Sequence, residues 1–132
     1  MIKKLAIILF LSLFAQVAKA EMSERCIIVI SQSAAAFTKI DAYRNGLSES
    51  EVDEELQSVF MDAEIEAMRE IYDVGVEAAQ SGNSRKEALS DIIKAVNAAN
   101  SENDLPAGMK RQAAKASVNA FMCGFDDHVK NI

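Results

Sequence analysis

Residues 47–82 read LSESEVDEELQSVFMDAEIEAMREIYDVGVEAAQSG, and their patterning decides the fold. Ser48 and Glu51 stand in the S-x-x-E spacing of a capping box, and Leu47 and Val52 are placed to close it as a hydrophobic staple. A helix is therefore expected from Ser48 to about Gln80, with Gly82 as its stop. One apolar stripe runs Val52, Leu56, Val59, Phe60, Ala63, Ala67, Ile71, Val74 and Ala78. A second runs Met61, Ile65, Met68, Tyr72, Val76 and Ala79. At 100° per residue the two stripes lie almost opposite each other, so this helix is buried on two sides or presents one of them to a partner. The first stripe is read as the main one, and Gly75 as a bend point.

The same reading extends in both directions. Ser23 can cap a helix running to Arg44, with Cys26, Ile30, Phe37 and Ile40 on one face. Cys26–Ile30 is rich in β-branched residues and could form a strand, but the alanine-rich stretch after it and the lack of any turn signal favour helix. Gly46 suits the left-handed C′ position, with Leu47 as the apolar residue beyond it. Ser84 and Glu87 form a second box, opening a helix with Leu89, Ile92, Ile93, Val96 and Ala99 that dissolves at residues 100–104. The last helix follows Pro106 with Met109, Ala113, Ala116, Ala120 and Cys123 on one stripe and Val118, Phe121, Phe125 and Val129 beside it. Gly108 and Gly124 are expected to weaken its ends.

Four helices with short connections make an all-α, up-down-up-down bundle. In that topology the first and last helices are antiparallel, so Cys26 and Cys123 fall at the same end. A disulfide between them is geometrically natural; two buried free thiols are the alternative.

The chain begins with Met-Ile-Lys-Lys, an apolar run from Leu5 to Ala18, and Ala18-Lys19-Ala20, the three parts of a secretory signal peptide. That run is too short for a spanning helix of about twenty residues. No cysteine stands at residue 21 for a lipid anchor. Residues 1–20 are accordingly expected to be cleaved, and 21–132 to form a single helical domain in the periplasm or outside the cell, where a disulfide persists. Cleavage removes three lysines and no acid, deepening the formal charge from −6 to −9. Such a chain repels nucleic acid and anionic membrane surfaces.

The acids concentrate in the central helix. Glu55, Asp62, Glu66, Asp73 and Glu77 recur at spacings of 7, 4, 7 and 4, placing them on one face. They make either a docking face for a basic partner or a solvated surface. Met61, Met68 and Tyr72 form an adaptable apolar stripe that is either core or a partner-binding seam. Glu70 projects into the main stripe. No catalytic set assembles: His128, the lone histidine, stands beside Asp126 and Asp127 in what reads as a frayed, solvated tail. There is no Cys-x-x-Cys, no glycine-rich phosphate loop, no Gly-x-Ser-x-Gly elbow and no calcium loop. No cofactor or metal is implied.

In architecture alone the layout resembles small helical acid-stress chaperones of the bacterial periplasm, which also carry one disulfide. The expected function is a non-catalytic, exported protein that binds another protein, either a second copy or a basic envelope protein, as an inhibitor, chaperone-like factor or accessory subunit. The alternative is an enzyme or metal protein with a site built from scattered residues such as Glu70, Tyr72 and His128.

Overall fold

The computed structural model describes residues 22–129, and the signal-peptide reading of residues 1–20 lies outside them. Among the described residues the chain forms four α-helices and no strand: α1 Glu24–Arg44, α2 Glu54–Gln80, α3 Arg85–Ser101 and α4 Ala107–His128. Local chemistry marks most of their ends. The Ser23 hydroxyl accepts from the Cys26 amide at 3.2 Å, and the Ser84 hydroxyl accepts from the Glu87 amide at 3.1 Å. Gly46 and Gly82 adopt φ of 68° and 84°, and each closes a Schellman motif. Leu47 N–H donates to the Ala42 carbonyl after α1, and Asn83 N–H to the Ala78 carbonyl after α2.

The start of α2 departs from expectation. Ser48 and Glu51 do form their capping box, but it closes only a short 3-10 turn, Glu49–Glu51. Val52 then runs extended, and Asp53 becomes the true N-cap, its carboxylate accepting from the Leu56 amide at 2.8 Å. Two good caps five residues apart compete, and the second one begins the long helix.

The bundle runs up-down-up-down and is joined at one end by the Cys26–Cys123 disulfide, with a Cα–Cα distance of 5.7 Å. α4 packs along α1, α2 and α3, whereas α2 and α3 barely touch beyond the turn that joins them. In a square bundle α2 and α4, which run parallel, would be diagonal. Here they are in direct contact, and the reason is two glycines. A Cβ on Gly75 would collide with the Phe121 carbonyl and lie 3.0 Å from the Phe125 nitrogen. A Cβ on Gly124 would collide with the Tyr72 carbonyl. Neither glycine interrupts its helix: α2 and α4 continue unbroken through them, and each supplies the gap into which the other backbone fits.

This contact decides which face of α2 is core. Met68, Tyr72, Val76 and Ala79, on the same side as Gly75, are buried and pack with Cys26, Ile30, Ala34, Ala120 and the Phe121–Phe125 segment. The stripe read as the main one is instead the outer one. Val59 and Val74 are 59% and 52% exposed, and Leu56, Phe60, Ala67 and Ile71 are only half-buried. Periodicity reveals that a helix has two apolar faces but not which one meets its neighbours. Glu70 is correspondingly exposed on the outside. A smaller core of Ile40, Leu105 and Ala113 holds the opposite end of the bundle.

The segment Asp126–His128 is not a frayed tail. It forms the last turn of α4 and ties that helix to the other three. Asp126 pairs with Arg85 at the start of α3 at 3.1 Å. Asp127 accepts from the Ser23 amide at 3.0 Å and from the Tyr72 hydroxyl at 2.8 Å. His128 packs edge-on against the Tyr72 ring, with centroids 6.2 Å apart. Acids at a helix C-terminus oppose its dipole, but these two sit at the N-termini of antiparallel α1 and α3, where negative charge is favourable.

Removing a glycine normally stabilises a helix by about 0.5–1 kcal/mol. At Gly75 and Gly124 the sign reverses, because the obstacle is backbone. Gly75→Ala and Gly124→Ala are each expected to lower unfolding free energy by about 2–4 kcal/mol. Gly108→Ala, whose added carbon meets nothing closer than 3.9 Å, is expected to raise it slightly. Urea denaturation of the three variants measures this.

Candidate groove at the open end

At the end of the bundle away from the disulfide, α1, the 47–53 connection and the starts of α2 and α4 enclose a groove of about 890 Å³. Its shape follows from the double cap. Because α2 starts at Asp53 rather than Ser48, the connection crosses the end of the bundle as a turn plus an extended residue and leaves a gap over α1. Ala35, Ala42, Leu47, Val52 and Met109 give apolar lining, and Tyr43, 47% exposed, stands at the edge. Thr38 is buried in it with its hydroxyl committed, donating to the Ala35 carbonyl at 2.7 Å and accepting from the Gln57 amide at 3.4 Å. Volume, apolar lining and a few placed polar groups are the features of a binding site.

The rim is charged. Glu49, Asp53 and Glu54 line the side formed by the connection and α2, and Lys39 lines the side formed by α1. Asp53 is occupied in capping. Glu51 is turned to its own turn: its carboxylate accepts from the Ser48 amide at 3.1 Å and hydroxyl at 2.8 Å. Those bonds, the backbone one foremost, hold its pKa below the ordinary carboxylate value. Beyond Lys39 and Gln112, which line both, a smaller and more polar cleft of about 330 Å³ lies along the α1–α4 seam.

The residues expected to form a partner face do not stay together. Met68 and Tyr72 are core, at 1% and 0% exposed, so neither is available to a partner; Met61 is half-buried. Glu55, Asp62, Glu66 and Glu77 do lie exposed on the outer side of α2, and Asp73 is half-buried. Of the scattered set Glu70, Tyr72 and His128, the fold brings Tyr72 and His128 together and leaves Glu70 apart. Among the described residues, no group of three or more His, Cys, Asp or Glu is arranged to hold a metal ion. The groove lining contains neither histidine nor cysteine. The sequence reading missed the groove altogether. Its only local sign is the pair of caps, Ser48 and Asp53, on either side of Val52.

Two carboxyl groups have opposite environments. Glu64 of α2 is raised from 4.5 to about 7, by partial burial first and then by the neighbouring Asp41 of α1, with Arg44 opposing. Asp127 is lowered: burial pushes it up, but the Ser23 amide, the Tyr72 hydroxyl and nearby His128 outweigh that.

No protein-family model matches the chain, and no curated protein or solved structure matches it either.

The Glu64 environment predicts a stability profile. A carboxyl raised in the folded state contributes stability in full below its unfolded value of 4.5 and loses it as pH rises through about 7. The protein is therefore expected to be more stable toward urea at pH 5 than at pH 8. Glu64→Gln should flatten that difference by about 1 kcal/mol, the size left after solvent screening of a partly open side chain. Asp127 acts in the other direction and only in stronger acid. Its contribution is present above the ordinary value of 3.8 and is lost as pH falls through its lowered one. Urea midpoints at pH 3, 5 and 8 separate the two.

Proposed function

We propose that this is an exported, non-catalytic helical protein that binds a segment of another protein in the groove at the open end of its bundle. The observation that carries the proposal is the groove itself: an apolar channel of about 890 Å³ with acidic side chains on its rim, held between three helices and a turn. Export is supported by the signal-like pattern of residues 1–20 together with the Cys26–Cys123 disulfide. No described helix is long and apolar enough to cross a membrane. A groove of this kind offers buried area to an apolar segment, and its carboxylates favour basic flanks on that segment. The acidic outer side of α2, with Glu55, Asp62, Glu66 and Glu77, then serves solubility and long-range steering more than contact. An accessory, inhibitory or chaperone-like role fits equally with such binding.

Photocrosslinking tests the assignment of the face. A photoreactive phenylalanine analogue replacing Tyr43 at the groove should yield one dominant crosslinked protein in cells exporting the variant. The same residue replacing Glu66 on the outer face should not. The added substitution Ala42→Trp, which fills the channel, should abolish the Tyr43 product without changing the circular dichroism. Crosslinks formed only from position 66, or Tyr43 products indifferent to the filled channel, contradict the proposal.

A further inference from the structure

The groove has an electrical direction. At the end built by the 47–53 connection and the start of α2, its charged lining is Glu49, Asp53 and Glu54, and Asp53 is spent on capping. At the other end Lys39 passes into the α1–α4 cleft, where Lys115 joins it. The rest of that cleft is uncharged: Gln32, Gln112 and Asn119 offer side-chain amides and Ser33 a hydroxyl. In a chain with 20 acids against 14 bases, a cleft lined by two lysines and no carboxylate is a departure from the surrounding surface. Neither lysine has an ion-pair partner among the described residues. Lys39 and Gln112 line both compartments, so the apolar channel and the cationic cleft adjoin and together mark out a path along α1. Along α1 that path covers Val29 to Tyr43, about 20 Å at 1.5 Å per residue. It matches about six residues of extended chain at 3.3 Å each.

We infer that the groove takes a dipolar peptide segment, about six to eight residues long, with a basic end on Glu49 and Glu54, an apolar middle in the channel, and an acidic side chain or chain-terminal carboxylate on Lys39 and Lys115. The inference rests on the groove being a protein-binding site and adds the chemistry of the bound segment. Opposite charges at the two ends set the orientation of the segment and reject segments carrying like charge at the wrong end. The amides of Gln112 and Asn119 donate to the carboxylate beside the lysines without adding competing charge.

Three labelled ten-residue peptides with a common leucine-rich centre test this by fluorescence anisotropy on the mature protein: one basic at one end and acidic at the other, one basic at both ends, one acidic at both. The dipolar peptide should bind about tenfold more tightly than either of the others. The variant K39E/K115E should reverse the order in favour of the peptide basic at both ends. The variant E49Q/E54Q should bind the dipolar and doubly acidic peptides equally. All four side chains are exposed, so circular dichroism should be unchanged. Equal binding of all three peptides by the unsubstituted protein, or an unaltered order in K39E/K115E, overturns the dipolar assignment while leaving a peptide groove standing. Binding of none of them overturns the groove reading as well.

Discussion

A close backbone contact between two helices organises this bundle. α2 and α4 run parallel and approach until the Gly75 and Gly124 positions admit no side chain. That approach replaces a square bundle with one in which α4 touches every other helix, and it selects the Met68–Tyr72–Val76 side of α2 as core. Close contact of this sort gains dispersion over many atoms at once and leaves no void, but it tolerates no added volume. It also brings Tyr72 beside the end of α4, where its hydroxyl meets Asp127.

From there the molecule becomes unequal along its length. One end holds the glycine contact, the disulfide, the Arg85–Asp126 pair and the Asp127 bonds to Ser23 and Tyr72. A disulfide closing a loop of 97 residues contributes about 4.7 kcal/mol by chain entropy, less any strain, and it acts on the same end. The other end has, among the described residues, the small Ile40–Leu105–Ala113 core, the Gln57–Thr38 and Asn100–Lys110 hydrogen bonds, and a connection that breaks once before α2 starts. A firmly fastened end and a less heavily fastened one suit a binding protein, since adaptable surfaces are drawn from the less stable parts of a fold. The raised Glu64 carboxyl beside Asp41 lies between α1 and α2 and makes the bundle sensitive to pH in the direction of acid tolerance.

What could be read from the residues was what local chemistry controls. Ser23, Ser84, Gly46 and Gly82 mark helix ends through bonds within a few residues of themselves, and all four act as expected. Helix parity placed Cys26 and Cys123 at the same end, and the signal-like pattern of residues 1–20 favoured a disulfide over two free thiols. What was misread depends on contacts distant in sequence. Ser48 looked like the start of α2 because nothing in the pattern ranks it against Asp53. Met68 and Tyr72 stayed undecided between core and partner seam because the glycine that buries them acts across to α4. Asp126–His128 looked like a solvated tail because its three anchors, Ser23, Tyr72 and Arg85, lie 41 to 104 residues away. The groove is beyond such reading for the same reason: residues near 38, 52 and 109 have to meet before it exists.

One end of this bundle is locked by the α2–α4 contact and its clasp, while the groove end is held more loosely. Native-state amide hydrogen exchange resolved by residue tests it most directly. The slowest exchange, approaching global unfolding, is predicted at residues 72–76 and 120–125, with the hydrogen-bonded amides of residues 57–61 and 110–114 opening at markedly lower free energy. Equal protection at both ends, or slowest exchange at the groove, would contradict it.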